Sequence, residues 1–234
     1  MSTDPSTLAT REARIAAQLA RYQSDGLQVF ATSSFQTNSL VLLSLLSRFA
    51  RDIPVYFLDT GYHFPETLAF RDAVAEALSL DVRTVRSPVP RDLQRGQSGR
   101  LLFASDPDHC CHLNKVLPLE PVILQGDVWI SGVRATQSAH RASMQTEARG
   151  RHGILRYHPI LDWDNADVFS YLDAHGLPRH PLEAEGYLSV GCRPCTRSLW
   201  DGSYAGGGGE RGGRWGGMKK TECGLHLDTE GEKR

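Results

Sequence analysis

Short apolar segments alternate with helix-like segments along most of the chain, and this alternation constrains the fold more than any other feature. Four segments have the length and composition of strands: 27–32, 53–58, 81–86 and 127–131. Apolar residues at helical spacing predict helices at 8–22, 39–50, 65–79 and 164–175. Strands that alternate with helices of this length are typical of an α/β domain, in which helices cover both faces of a mostly parallel sheet.

Two of the predicted helices carry recognisable end signals. Pro65 suits the first turn of the helix at 65–79. Asp164 or Asn165 can cap the helix at 164–175, and Gly176 can end it. A further helix is expected to carry the adjacent pair Cys110–Cys111.

Three polar turns follow predicted strands, at the sheet edge where ligands of such folds bind. The turn 33–38 can present backbone N–H groups and hydroxyls to an anion, although it lacks the G-x-x-x-x-G-K-[ST] pattern of nucleotide kinases. The turn 58–61 can contact a nucleoside, and the turn 132–138 carries arginine, which favours phosphate or sulfate. Each turn alone also fits an ordinary cap or loop, so the inference depends on their convergence. The candidate substrate-binding residues are Ser33, Ser34, Phe35, Leu58, Asp59, Gly61, Arg134, Gln137 and Arg141.

Composition excludes several classes of function. The 234 residues carry a formal net charge of −1, which gives no electrostatic argument for binding nucleic acid or a membrane surface. No apolar run approaches the roughly 20 residues that span a bilayer. The first residues lack the basic and apolar regions of a signal peptide. We therefore expect a cytoplasmic protein that binds neither nucleic acid nor membrane.

The five cysteines divide into two close pairs and one single residue. An odd number in a cytoplasmic protein argues against a disulfide framework. Cys192 and Cys195 form a C-x-x-C loop, which fits a zinc half-site or a redox pair; the redox interpretation is weaker because the loop follows Gly191 instead of opening a helix. Cys110 and Cys111, taken alone, fit two small core residues.

Together the two pairs supply four thiolates, the ligand set of zinc or of a [4Fe-4S] cluster. Zinc sites usually separate their ligands by a few residues in both halves, whereas adjacent cysteines can reach separate irons of a larger cluster. We therefore favour the cluster, with these ligands: Cys110, Cys111, Cys192 and Cys195. Lys115 lies four residues after Cys111, on the same helix face, either as a solvated lysine or as a cation beside an anionic cluster.

The composition changes near residue 201, which divides the chain into an α/β domain at 1–200 and a tail at 201–234. Eight glycines fall within 206–217, and the tail has too few apolar residues to fold alone, so we expect it to be mobile. The tail carries the single cysteine, Cys223, after Lys219 and Lys220 and three residues before His226. Nearby cations favour the reactive thiolate, and the alternative is an incidental tail cysteine.

Six runs together resemble the assimilatory adenylyl-sulfate reductases, within the wider phosphoadenylyl-sulfate reductase family. The matching runs are SSF at 33–35, LDTGYHFPET at 58–67, CCHLNK at 110–115, GVRATQS at 132–138, GCRPCT at 191–196 and KTECGLH at 220–226. They extend over residues 33–226, and the two cysteine pairs with the terminal E-C-G-L-H run are highly specific.

The resemblance implies a sheet related to the adenine nucleotide α-hydrolases and a [4Fe-4S] cluster on the four paired cysteines. It implies that Cys223 attacks the sulfur of adenylyl sulfate, expels AMP and becomes an S-sulfocysteine, from which thioredoxin or glutaredoxin releases sulfite. Lys115 and the cluster would shape the electrostatics around the sulfate, and His226 completes the candidate catalytic set. Arg211 and Arg214 become candidate contacts to the anion. Because family members are commonly dimers or tetramers, a homo-oligomer is also expected.

Two features depart from the family pattern: Gln36 stands where a glycine is usual, and residues 205–217 are unusually rich in glycine. Three alternatives remain at this point. The 3′-phosphorylated nucleotide could be an additional substrate. An ATP pyrophosphatase would share the sheet, although the chain lacks the S-G-G-x-D-S loop that such enzymes prefer. A non-enzymatic nucleotide-binding module would tolerate Cys223→Ser without measurable change.

Overall fold

A computed structural model describes residues 3–201, 209–215, 220 and 222–226. Its centre is a six-stranded sheet with the order β3-β2-β1-β4-β6-β5. Every neighbouring pair is parallel except β5 and β6, which are antiparallel. The strands are β1 Val29–Thr32, β2 Val55–Asp59, β3 Val82–Arg86, β4 Val128–Ser131, β5 Glu147–Arg149 and β6 Leu155–Tyr157.

Helices pack on both faces of this sheet. The α-helices in the described part of the chain are α1 Pro5–Ser24, α2 Leu40–Phe49, α3 Pro65–Ala77, α4 Leu102–Ser105, α5 Pro107–Cys111, α6 Leu117–Gln125, α7 Ala139–Ala142 and α8 Asn165–Ala174. Successive strand residues point to opposite faces. Ala31 and Ile130 accordingly join the larger core, with α1, α2, α3 and α8, whereas Phe30 and Trp129 join a smaller core with α6. The expected mostly parallel α/β sheet with helices on both faces is confirmed.

The predicted strands and helices all form, with ends displaced by a few residues. Asp164 caps α8, where its carboxylate accepts a hydrogen bond of 2.9 Å from the Asp167 N–H. Gly176 follows α8 with a φ of 59°, in the left-handed region that favours glycine. The sequence analysis missed β5 and β6, which are three residues each and lack a long apolar run.

The helix that carries the adjacent cysteines continues into a π-helical turn, His112–Val116, before α6 begins. Pro118 supplies a physical reason, since it lacks the N–H that would donate to the carbonyl of Asn114 in a regular α-helix. Such turns widen the helix locally and often lie at functional sites. Lys115 is on this turn and not on a regular α-helical face.

The described pieces of the C-terminal tail are docked on the body of the protein. Trp215 is 3% exposed, and its backbone N–H donates to the carbonyl of Cys195 at 3.0 Å. Leu225 packs into the smaller core. Residues 202–208, 216–219, 221 and 227–234 lie outside the described residues, so the expected mobility of the tail stays a prediction. In the part of the chain that is described, no helix has both the length and the apolar character to cross a bilayer.

Candidate active site

A cleft opens at the carboxyl edge of the sheet, where parallel strands place their following turns side by side. The turns after β1, β2 and β4 form one side of it, and the docked tail segments 209–215 and 222–226 form another. The structure brings these predicted site residues together around the cleft: Ser33, Ser34, Leu58, Lys115, Gln137, Arg141, Arg211, Arg214, Cys223 and His226.

Four of the predicted substrate-binding residues lie elsewhere. The Phe35 side chain is fully buried in the larger core, on a backbone with a φ of 53°. Asp59 pairs with Arg86 at 2.8 Å and, with Gly61, lines a neighbouring cavity. Arg134 is fully buried behind the cleft. None of these four residues therefore lines the cleft, so the structure gives them no direct contact with a ligand bound there.

The four paired cysteines line a second cavity, which adjoins the cleft. Cys110 and Cys111 end α5, and Cys192 and Cys195 flank and end a 3-10 turn on the opposite side. All are free thiols, and the Cys192 sulfur lies 3.2 Å from the Thr60 hydroxyl. Cys192 and Lys115 line both the cavity and the cleft, so the two spaces share a wall.

The donor set of this cavity is four thiols, the ligands that suit zinc or an iron–sulfur cluster. Within the described residues, no three Cys, His, Asp or Glu side chains form a group that could hold one metal ion. The thiols are nevertheless close enough to interact: burial, followed by the neighbouring Cys111, Cys192 and Cys195, raises the pKa of Cys110 to about 12. Thiols that crowd one partly apolar cavity become favourable ligands once bound iron replaces their protons.

Lys115 lies between the thiol cavity and the cleft. Burial by itself lowers the pKa of Lys115, but the sulfur groups of Cys192, Cys111 and Cys223 more than offset that effect, and the net pKa is raised. The side chain is therefore a fixed cation that faces both groups of cysteines. A positive charge at this position can stabilise an anion bound in the cleft.

Cys223 is half-buried on the cleft and is held next to a buried carboxylate. Its backbone N–H donates to Oε1 of Glu222 at 3.0 Å. The same carboxylate receives two hydrogen bonds from Arg141, at 2.7 and 2.9 Å, and one from Arg211 at 3.0 Å. Burial raises the pKa of Glu222, but Arg141 and then Arg211 outweigh it, and the lowered pKa keeps the carboxylate ionised.

His226 also lines the cleft, but its ring is already engaged. Arg156 lies 2.8 Å from its Nδ1, and because a guanidinium only donates, Nδ1 accepts. Burial and the positive charges of Arg141 and Arg156 lower the pKa of His226 well below its usual value. The ring stacks on Trp129 with a centroid separation of 6.3 Å. A neutral imidazole that is fixed in this way anchors the tail segment and is a poor proton donor.

Comparison with known proteins identifies the family. Residues 28–198 match the family described as phosphoadenosine phosphosulfate reductase domain. The chain belongs to this family. An adenosine 5′-phosphosulfate reductase of Chelativorans sp. (strain BNC1) is 38% identical over 217 residues, which cover 92% of this chain and 85% of that one. One from Streptomyces coelicolor is 41% identical over 199 residues, which cover 83% and 80%.

Solved structures agree with this family in their fold. The phosphoadenylyl-sulfate reductase of Candida auris, in a phosphate complex, superposes with a TM-score of 0.63 and 21% identity over 82% of this chain and 97% of that one. The NH3-dependent NAD synthetase of Campylobacter jejuni has a TM-score of 0.54 and 11% identity over 75% of each chain. The sheet predicted from the resemblance is thus shared with nucleotide enzymes inside and outside the reductase family.

Three residues near the cleft had no role assigned from the sequence: Glu210, Glu222, which was named only as part of the terminal motif, and Gln36. Glu222 pairs with Arg141 on the cleft, and Glu210 pairs with the buried Arg134. Gln36 bridges the turn after β1 to the segment that leads into Cys192, because its Oε1 accepts from the Val190 N–H at 2.8 Å. An acidic residue beside a reactive cysteine was a visible signal for Glu222, whereas nothing local in the sequence indicated the partners of Gln36.

Proposed function

We propose that the protein is an adenylyl-sulfate reductase that transfers a sulfo group to Cys223. The observation that carries this proposal is the separation of the thiols. Cys223 lies on the cleft with the cationic side chains and outside the adjoining cavity, which the other four cysteines line; of these four, Cys192 also reaches the cleft. A thiolate that must approach an anionic sulfate needs such positive charge around it, and Lys115, Arg211 and Arg214 supply it.

The reaction follows from this arrangement. The Cys223 thiolate attacks the sulfur of adenylyl sulfate, so that a sulfur–sulfur bond forms and the bond from sulfur to the bridging oxygen breaks. AMP leaves with that electron pair. A thiolate of reduced thioredoxin then attacks the Cys223 sulfur and expels sulfite, and the second thioredoxin thiol resolves the mixed disulfide, which returns the Cys223 thiolate and oxidised thioredoxin. The dithiol supplies the two electrons that reduce the sulfo group to sulfite.

The proposed cofactor is a [4Fe-4S] cluster on the four paired cysteines. When bound, it would add fixed charge beside Lys115 and the sulfate. The family membership and the shared cavity support this proposal. Iron and acid-labile sulfide in equal amounts, with a visible absorbance band, are the expected result. If the protein is purified without oxygen and is colourless with one zinc per chain, the cluster proposal is contradicted.

The decisive test of function replaces the nucleophile. Cys223→Ser should abolish sulfite release from adenylyl sulfate with thioredoxin as reductant, while AMP binding and iron content stay unchanged, because Cys223 lies outside the thiol cavity. Wild-type protein mixed with substrate alone should release about one AMP per chain and carry one added sulfo group on Cys223 by peptide mass analysis. Sulfite release by Cys223→Ser at the wild-type rate would refute the mechanism.

Substrate choice is proposed on the relatives. Curated relatives at 36–41% identity, which include the two compared above, are adenosine 5′-phosphosulfate reductases. We therefore propose that adenylyl sulfate without a 3′-phosphate is preferred, and kcat/KM with both nucleotides tests this. We also propose a cytoplasmic location and a homo-oligomer, and light scattering of the purified protein tests the latter.

A further inference from the structure

Two carboxylates of the C-terminal tail form ion pairs with arginines that follow β4. Glu222, which is 3% exposed, receives both ends of the Arg141 guanidinium in a two-point pair. Arg141 is itself held, because its Nη1 also donates to Gln137 and its helix is capped by the Ser138 hydroxyl. The carboxylate of Glu222 is therefore held in one position by Arg141.

The second tail segment is attached in the same way. Glu210 pairs with the fully buried Arg134, and it accepts hydrogen bonds from Asn38 at 2.6 Å and Gln137 at 3.2 Å. Arg134 is further held by Asn165 at 2.8 Å. Each described tail segment thus brings one glutamate to one arginine beyond the end of β4.

Two further arginines, Arg211 and Arg214, lie on the tail itself and line the cleft. Arg211 donates to Glu222 through Nη2 at 3.0 Å, but among the described residues the buried Nε atom of each arginine has no hydrogen-bond partner. The Nε of Arg134 also lacks one, but Arg134 does not line the cleft. Burial, followed by the charge of Arg141, lowers the pKa of Arg211 to about 10. Unpaired donors and excess charge on the lining favour an anionic ligand.

We propose that Glu222 is a positioning residue, whose ion pair with Arg141 anchors the segment that carries Cys223. Glu210 anchors the segment 209–215 through its ion pair with Arg134. Arg134 and Arg141 accordingly hold the tail. Arg211 shares the Glu222 carboxylate through one nitrogen, and the unpaired Nε donors of Arg211 and Arg214 are left for the anion of the substrate. The proposal rests on the proposed function in one respect, since it takes Cys223 as the nucleophile.

The physical reason is local and electrostatic. The Glu222 carboxylate joins the backbone N–H of Cys223 to Arg141 and Arg211, so its position sets the position of the cysteine backbone. Loss of one member of a buried ion pair leaves the other charged and unpaired, which is strongly unfavourable. The docked position of Cys223 should therefore become less populated when Glu222 loses its charge, while the sheet that binds the nucleotide stays intact.

The test compares Glu222→Gln, which keeps the side-chain shape, with Glu222→Asp, which keeps the charge, and with Glu76→Gln on the exposed face of α3 as a matched control. The rate of Cys223 alkylation by N-ethylmaleimide is read by peptide mass analysis, together with AMP binding and the kinetics of sulfite release. Glu222→Gln should raise the alkylation rate and lower kcat by about tenfold or more, with the AMP Kd within about threefold of wild type. Glu222→Asp should recover part of both effects.

Unchanged alkylation in folded Glu222→Gln would overturn the proposal, as would an AMP Kd that rises in step with the loss of kcat. If circular dichroism shows that Glu222→Gln does not fold, Arg141→Lys, which keeps the charge but loses the two-point pair, takes its place. The rate of Cys223 alkylation should then rise, and it alone decides, because Arg141 also lines the cleft and its replacement bears directly on the AMP Kd. If wild-type protein releases no sulfite from adenylyl sulfate, the proposed function fails, yet the alkylation contrast still decides whether Glu222 anchors the cysteine.

Discussion

Gln36 replaces the glycine that is usual in the family, and the structure shows which contacts the glutamine side chain makes. Its Oε1 accepts from the Val190 N–H at 2.8 Å and from the Ser189 hydroxyl at 3.3 Å, and its Nε2 donates to the Ser34 hydroxyl at 2.9 Å. It therefore ties the turn after β1 to the segment that leads into Cys192. We expect Gln36→Ala to destabilise the protein and Gln36→Glu to impair anion binding selectively.

The expected magnitude for Gln36→Ala comes from the group left without a partner. Val190 is 4% exposed, so its N–H cannot be fully compensated by water. A buried donor without an acceptor costs about 1–3 kcal/mol, and the lower half of that range suits a half-buried bridge. For a domain of this size, about 1–2 kcal/mol corresponds to a fall in Tm of roughly 2–8 °C. Gln36→Gly should lose about 1 kcal/mol more, because glycine adds freedom to the unfolded chain.

Gln36→Glu separates the two roles of this position. Glutamate retains an acceptor for the Val190 N–H, so the stability should stay close to that of wild type. The added negative charge lies on the cleft, where repulsion of a phosphate at about 4 Å amounts to about 1–4 kcal/mol, or roughly fivefold to nearly a thousandfold in affinity. Thermal unfolding followed by circular dichroism and AMP binding by calorimetry measure both effects. An unchanged Tm in Gln36→Ala, or wild-type AMP affinity in Gln36→Glu, would refute the reasoning.

Three further predictions concern other parts of the molecule. Lys115→Met should lower kcat/KM for adenylyl sulfate by about 10²–10³, because the cation that faces the cleft and the thiols is lost; a value within threefold of wild type would exclude that role. Burial and Arg156 lower the pKa of His158 to about 3, so its neutral form contributes stability that is present above pH 6.5 and is lost as the pH falls toward 3. Between pH 7 and 5.5 the stability measured in urea should fall about 1 kcal/mol less in His158→Gln than in wild type, and parallel falls would contradict this assignment. Asp164→Ala should lower the free energy of unfolding by about 1 kcal/mol through loss of the α8 cap, whereas Asp52→Ala in the exposed turn before β2 serves as the comparison.

The sequence determined the sheet and the location of the cleft because both depend on local patterns. Apolar periodicity places strands and helices, and in a parallel sheet the turns after the strands must share one edge. The pairing of Arg141 with Glu222 could not be read in this way, since 81 positions separate the two residues and no periodic signal joins them. The same limit applies to β5 and β6, whose three residues each form a strand only because neighbouring backbone is available.

The glycine-rich composition predicts that the tail cannot fold alone, and this stays a prediction, but the composition did not indicate what the described tail segments bind to. Trp215 and Leu225 are buried against the body, and two glutamates reach arginines beyond β4. Composition averages over a segment, whereas docking depends on a few anchor residues at the correct spacing. The π-helical turn that carries Lys115 is a similar case, because it follows from the single missing N–H of Pro118.

The way in which Cys223 is anchored bears on how the reaction can be completed. The segment 222–226 contributes one buried aliphatic side chain, Leu225, and burial of such a side chain is worth about 1.5–3 kcal/mol. The pair of Glu222 with Arg141 and the hydrogen bond that Arg156 donates to His226 add further contributions, which the entropy cost of ordering the segment offsets in part. No sheet hydrogen bond of the described strands involves this segment. A docking free energy of a few kcal/mol leaves the released state populated at about 0.1–10%. In the proposed reaction, a thioredoxin dithiol would therefore reach the S-sulfonated Cys223 in that released state while the cleft and the thiol cavity remain folded.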